Sequence, residues 1–210
     1  AAPGLQFVSA DPVALECRLL KSPAEIALMT RAADIVIAAY KATVPRIEVG
    51  MTEEDLNELS KEAFNEIGVE GMIGFHFDFA SSLPHGSTQI IEVKEGSTIL
   101  MDSGNKNWLK ATRPIGIDGY RSDISRTVFF GEPTQRQKDV WEHMKLAQAA
   151  AFEAARPGVP CEEVDAAARR SLVSNGYGPG YETPGCPHRT GHGIGLGGHE
   201  GTVHLTKGNK

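Results

Sequence analysis

Gly50-Met51-Thr52-Glu53-Glu54-Asp55-Leu56 recurs 108 positions later as Gly158-Val159-Pro160-Cys161-Glu162-Glu163-Val164. Gly68 and Gly176, which read as the ends of the helices that follow, keep the same offset. A longer helical pattern precedes each copy. The first starts at Ser22-Pro23-Ala24-Glu25, a capping box with proline at the first helical position. It continues through Ile26, Met29, Ala33, Val36, Ile37 and Tyr40 at helical spacing, up to Pro45. The second starts at Thr134, with Gln137 completing the box, and continues through Val140, Met144, Ala147, Ala151 and Ala155 to Pro157-Gly158. Each copy is followed by a His-Gly pair, Pro84-His85-Gly86 and Gly191-His192-Gly193. The order helix, helix, strand, His-Gly thus occurs twice.

Within the repeats, a helix is predicted from Thr52 with apolar positions Leu56, Leu59, Ala63 and Ile67, and another over Cys161 to Asn175. Residues 72–79, 97–101 and 121–130 read as strands. Two helix pairs and hairpin strands predict an α+β fold, with helices over one face of an antiparallel sheet and a pseudo-twofold that brings the two His-Gly turns together. Residues 1–20 show no clear periodic pattern and read as a linker or lead-in; residues 21–210 form the domain.

The chain has 210 residues, 27 acidic and 21 basic, for a net charge of −6. This length suits one domain or two small halves that share a core. An acidic chain without a Lys/Arg block argues against nucleic acid as a partner. No apolar run approaches the roughly 20 residues a membrane span needs, so no membrane association is expected. Ala1-Ala2-Pro3-Gly4 has neither the basic nor the apolar region of a signal peptide. Cys17, Cys161 and Cys186 are odd in number and widely spaced, which fits reduced thiols and a cytoplasmic protein.

Three segments could carry chemistry. His85 stands between Pro84, which favours an extended approach, and Gly86, which permits unusual backbone. Taken alone it reads more readily as a surface histidine than as a site residue. Asp102 ends one strand and Asp123 lies inside a β-rich run. Carboxylates there are costly to bury unpaired, so either a cation binds both or Asp123 pairs with Arg121 or Arg126. Asp118-Gly119 reads as a turn. The third segment, His188-Arg189-Thr190-Gly191-His192-Gly193-Ile194-Gly195-Leu196-Gly197-Gly198-His199-Glu200, holds three histidines among five glycines. It reads as a metal or catalytic loop, or as a structural turn. His199 and His204 are five apart, not the four of a zinc-binding H-E-x-x-H helix, and no G-K-[ST] follows the glycines.

Taken together, Asp118–Thr127 (Asp-Gly-Tyr-Arg-Ser-Asp-Ile-Ser-Arg-Thr) and the His188–Glu200 loop resemble the M24 metallopeptidase family, the pita-bread fold of Xaa-Pro aminopeptidases, prolidases and methionyl aminopeptidases. The Xaa-Pro dipeptidase/aminopeptidase branch is the most similar, over about Leu20 to Lys210. The resemblance implies two pseudo-symmetric halves, each a helix pair with antiparallel sheet. It implies two divalent ions (Mn, Co, Fe or Zn), with Asp102, Asp123 and His192 as the first three ligands. It implies His85 and His199 as histidines that contact the substrate and the developing oxyanion, and His188 as a substrate-pocket residue. The implied activity is cleavage of the Xaa-Pro bond by metal-activated water, on a peptide partner, with oligomerisation of identical chains a further expectation. Two departures accompany it. Asp102 and Asp123 are 21 residues apart where the family has eleven, an excess lying within Asn105 to Gly116. The family's two glutamate ligands follow the region that matches Gly201–Lys210, so the fold is expected to be incomplete at its C-terminus. An inactive fragment, a non-catalytic peptide- or protein-binding module, and a creatinase-like hydrolase that works without metal are the alternative readings.

Overall fold

The computed structural model describes residues 9–69, 75–79, 92–102 and 116–200. The first predicted helix pair is present. Helix α2 (Pro23–Thr43) starts at the Ser22 capping box, with Glu25 closing it, and α3 (Glu53–Glu66) starts at a second box between Thr52 and Asp55. A short 3₁₀ turn, Val44–Arg46, follows α2 where Pro45 removes a backbone donor. The pair lies over a three-stranded antiparallel sheet of order β1-β2-β5, formed by His76–Phe79, Thr98–Asp102 and Ser125–Phe129. The core between them holds Val36, Tyr40, Leu56, Phe64, Phe75, Phe77, Ile99 and Met101. Phe77 and Met101 are cross-strand partners, and Ile99 is two residues from Met101, so all three meet the helices on one face of the pleat. Tyr40 and Phe75 stack with ring centroids 4.2 Å apart. Phe64 and Phe77 extend the aromatic contact on either side of Phe75.

The second helix pair is α4 (Gln135–Ala154), capped by the box between Thr134 and Gln137, and α5 (Cys161–Ser174). The repeat is visible in the backbone. Helices α3 and α5 each have 14 residues. The preceding glycines, Gly50 and Gly158, have φ of 95° and 87°, and the following ones, Gly68 and Gly176, have 79° and 83°. These left-handed conformations exclude most side chains without strain, which explains glycine at equivalent positions of otherwise dissimilar copies. The two helices meet through small residues, Ala151 and Ala168 among them, with Val164, while Leu172 joins Ala147 and Tyr177. The predicted α4 stripe is buried at Ala147 and Ala151 only; Met144 and Ala155 are exposed.

One element is added to the expected set, and one expectation is corrected. The stretch read as a lead-in contains helix α1, Asp11–Leu19, with Pro12 in its first turn. Among its described side chains, Val13 and Leu19 are exposed. The strand expected over 121–130 is two strands. Tyr120–Arg121 (β4) pairs with Gly116–Ile117 (β3) in a separate hairpin. The chain leaves the ladder at Ser122-Asp123-Ile124 before β5 begins. Asp118 and Gly119 form the hairpin turn, with φ of 49° and 87°, the positive pair a type I′ turn requires. The expected strand over 72–79 is described from His76 onward, and its first residues lie outside the described ones. The first His-Gly pair and most of the 105–116 segment also lie outside them.

Candidate metal centre

The break between β4 and β5 frees Asp123 from sheet pairing. Its neighbour Arg121 donates its backbone N–H to the Gly195 carbonyl at 2.8 Å, which docks the glycine-rich loop beside it. The loop closes on itself through an isolated bridge between Gly193 and Glu200, with Glu200 N–H donating to Gly193 O at 2.8 Å. That closure brings the two ends of the His192–His199 segment together. The imidazoles stack with centroids 3.8 Å apart and planes 28° apart. Nε2 of His192 lies 3.4 Å from Oδ2 of Asp123. Donor atoms of Asp123, His192 and His199 all fall within 4.8 Å of one another.

The hydrogen bond of His192 orients its ring. Nδ1 lies 2.9 Å from the Gly193 carbonyl, so Nδ1 carries a hydrogen, and Nε2 is the ring nitrogen that faces Asp123. In the neutral ring a lone pair and a carboxylate oxygen then face each other at 3.4 Å. Both are acceptors, so a proton or a metal ion has to sit between them. Two donors each about 2.1 Å from a shared ion, at tetrahedral or octahedral angles, stand about 3.0–3.4 Å apart, which these atoms match. The N/O donor set suits Mn²⁺, Fe²⁺, Co²⁺ or Zn²⁺. Beside Asp123, the Ser122 hydroxyl is buried without a partner among the described residues.

Of the other sequence candidates, Asp102 is placed by its backbone alone. It closes β2 opposite Ser125, two residues from Asp123. Its side chain and His85 lie outside the described residues. His188 is exposed and outside the cluster; its Nδ1 lies 3.1 Å from the Arg189 carbonyl and 3.7 Å from Cys186 Sγ. The alternative pairing of Asp123 with Arg121 or Arg126 is not seen among the described residues. Arg126 instead hydrogen-bonds the Ser125 carbonyl and lies over the Tyr40 ring.

Residues that the sequence reading passed over hold the loop in place. Glu200, beside His199, is buried and faces Arg18 of α1 and Lys21, whose Nζ is 3.2 Å away. It also accepts the Gly197 N–H at 2.8 Å. Burial alone would raise its pKa; the hydrogen bonds from Arg18, Gly197 and Lys21 outweigh that and hold it below the usual glutamate value. Its carboxylate is committed to these partners and stands outside the histidine cluster. Near this clasp, the Tyr120 hydroxyl donates to Glu25 at 2.6 Å. That bond, with those from Ser22, lowers the Glu25 pKa to about 2.

Arg169 of α5 braces the loop from the other side. It donates to the carbonyls of Gly180, Cys186 and His188, and its Nε lies 2.7 Å from Asp165 Oδ2. Asp165 also accepts from the Thr190 hydroxyl. Burial would raise the Asp165 pKa, but Arg169 and Thr190 overcome it and lower the value. A depressed carboxylate contributes stability that is complete above its unfolded pKa, ordinarily 3.8, and is lost as pH falls through the folded value. Asp165→Asn is therefore expected to flatten the acid limb of the thermal-stability profile below about pH 4. An unchanged slope there, relative to the unsubstituted chain, would count against this pairing.

Similarity to known proteins agrees with this geometry. The model of metallopeptidase family M24 matches residues 27–210. The chain belongs to the M24 metallopeptidase family. It is 30% identical over 205 residues to an Xaa-Pro dipeptidase of Pyrococcus horikoshii, covering 93% of this chain and 52% of that protein. Among solved structures, an X-Pro aminopeptidase from Thermotoga maritima superposes with a TM-score of 0.76 at 30% identity, covering 97% of this chain and 54% of the other. A prolidase from Pyrococcus furiosus gives 0.74 at 28% identity, covering 96% and 54%. The α+β pita-bread fold is shared with these M24 proteins, and the chain spans about half the length of the curated relatives it matches.

Proposed function

We propose that this M24 chain carries part of the centre of a metal-dependent peptidase that cleaves the Xaa-Pro bond at the N-terminus of peptides or in dipeptides. The observation that carries the reading is Nε2 of His192 at 3.4 Å from the Asp123 carboxylate, with His199 stacked on the same ring. Asp123 and His192, with Asp102 joining from the end of β2, would hold the divalent ions. A divalent pair supplies Lewis acidity and makes water nucleophilic at neutral pH. In this reading His199 donates a hydrogen bond to the substrate carbonyl as negative charge builds on its oxygen. His85 has the same role in this reading, and His188 a place in the substrate pocket. The relatives named as Xaa-Pro dipeptidase and X-Pro aminopeptidase support the choice of bond. Peptides are the partners in this reading. The cytoplasm is the compartment it favours, supported by three unpaired cysteines; no described helix is long and apolar enough to cross a membrane.

The test is calorimetric titration of Mn²⁺ into metal-free protein, followed by assay on an Ala-Pro dipeptide with and without chelator. Tight binding and chelator-sensitive release of proline are expected. Absence of divalent-ion binding would overturn the metal reading. Peptide binding indifferent to chelator, without hydrolysis, would favour the non-catalytic module.

A further inference from the structure

Tyr40 lies far from the histidine cluster in sequence, and it reads from periodicity as an apolar core position. Its ring does pack in the core, stacked on Phe75. Its hydroxyl does something else. It lies 2.8 Å from the Met101 carbonyl and 2.6 Å from the Ile124 carbonyl. Met101 immediately precedes Asp102, and Ile124 immediately follows Asp123. One buried O–H thus faces the backbone next to both aspartates.

The position of this contact matters because of where the sheet stops. The β2–β5 ladder ends at the pair Asp102–Ser125. Ile124 and Asp123 lie beyond it, in the stretch between β4 and β5. There the regular ladder no longer sets the spacing between the two segments. Helix α2, through the Tyr40 hydroxyl, spans the point where it ends. The phenol is buried and stacked on Phe75, with the Arg126 guanidinium 5.9 Å from the ring centroid. Moving either carbonyl relative to the other breaks the three-centre contact.

We propose that Tyr40 is a positioning residue for the metal centre: its hydroxyl fixes the end of β2 relative to Ile124 and so sets the separation of Asp102 and Asp123. The inference rests on the metal reading above for its consequence, and on the two carbonyl contacts alone for its structural part. Tyr40→Phe keeps the stacked ring and removes only the hydroxyl. Thr43→Val is the matched control. Thr43 is fully buried on the same helix, and its hydroxyl donates at 2.8 Å to the Ala39 carbonyl, away from both strands.

Two measurements test it. In metal-free protein, hydrogen exchange followed by mass spectrometry should show Tyr40→Phe accelerating the amides of residues 99–102 and 122–126 by about fivefold, the scale of one net hydrogen bond. Thr43→Val should leave them at the parental rate. Mn²⁺ affinity, by calorimetry, should fall about tenfold in Tyr40→Phe, the lower range for groups that orient ligands, and stay unchanged in Thr43→Val. Parental exchange in Tyr40→Phe, or equal acceleration in both variants, overturns the clamp. Accelerated exchange with unchanged Mn²⁺ affinity overturns its role at the centre. If the parental chain binds no divalent ion, the metal reading fails while exchange still decides the clamp.

Discussion

His192→Ala is expected to weaken Mn²⁺ binding by more than about 100-fold. Removing groups that merely orient a ligand lowers metal affinity about 10–100-fold, and His192 is here the ligand itself. Its Nε2 faces Asp123, and its Nδ1 is already engaged by the Gly193 carbonyl. His188→Ala serves as the comparison, because His188 turns back on its own loop and lies outside the cluster. Calorimetric titration of both variants, with circular dichroism to confirm folding, decides the assignment. Equal Mn²⁺ affinity in His192→Ala and the parent would remove His192 from the ligand set.

Arg169→Met is expected to destabilise the fold by about 2 kcal/mol, below the roughly 3–5 kcal/mol for breaking one partner of a fully buried ion pair, because this pair is partly buried. The guanidinium and the Asp165 carboxylate are 13% and 14% exposed, so water screens the pair little. Methionine fills much of the volume but donates nothing. The Cys186 carbonyl then loses its Arg169 donor, the His188 carbonyl keeps only the Cys186 thiol, and Asp165 keeps its bonds from Thr190. The loss is expected to reach the centre as well, because these carbonyls lead into the Gly191–Glu200 loop. Urea unfolding of Arg169→Met beside Arg170→Met separates the cases. Arg170 is exposed and makes only a long contact to Glu163, so its loss should change stability by less than about 0.5 kcal/mol. Similar losses in the two variants would show that Arg169 is not a brace.

The candidate centre was legible in the sequence in part. Asp123, His192 and His199 stood out because carboxylate and imidazole groups occurred among glycines and β-branched residues, where unpaired polar groups are costly. Their convergence could not be read. Asp123 reaches His192 only because the expected strand over 121–130 breaks at Ser122–Ile124 and the glycine loop docks on Arg121. The sequence left Asp123 free to pair with Arg121 or Arg126, and neither pairing is seen among the described residues. Arg18, Lys21 and Tyr40 were passed over for a common reason. Each acts on a partner more than 60 positions away, and local pattern carries no information about such partners.

By itself the sequence determined where α2, α3 and α4 begin and where α3 and α5 end. Capping boxes at Ser22, Thr52 and Thr134, and glycines at paired positions of the repeat, act within a few residues, so local chemistry suffices to specify them. It also determined the α+β class, since strand and helix periodicities are local properties. Tertiary structure alone decided which polar groups meet. It placed helix α1, Asp11–Leu19, so that its Arg18 neutralises a buried Glu200, and it set a core tyrosine against the backbone beside two aspartates. Those pairings depend on how whole elements pack, because desolvated charges and carbonyls are satisfied by whichever partner the fold brings within about 3 Å.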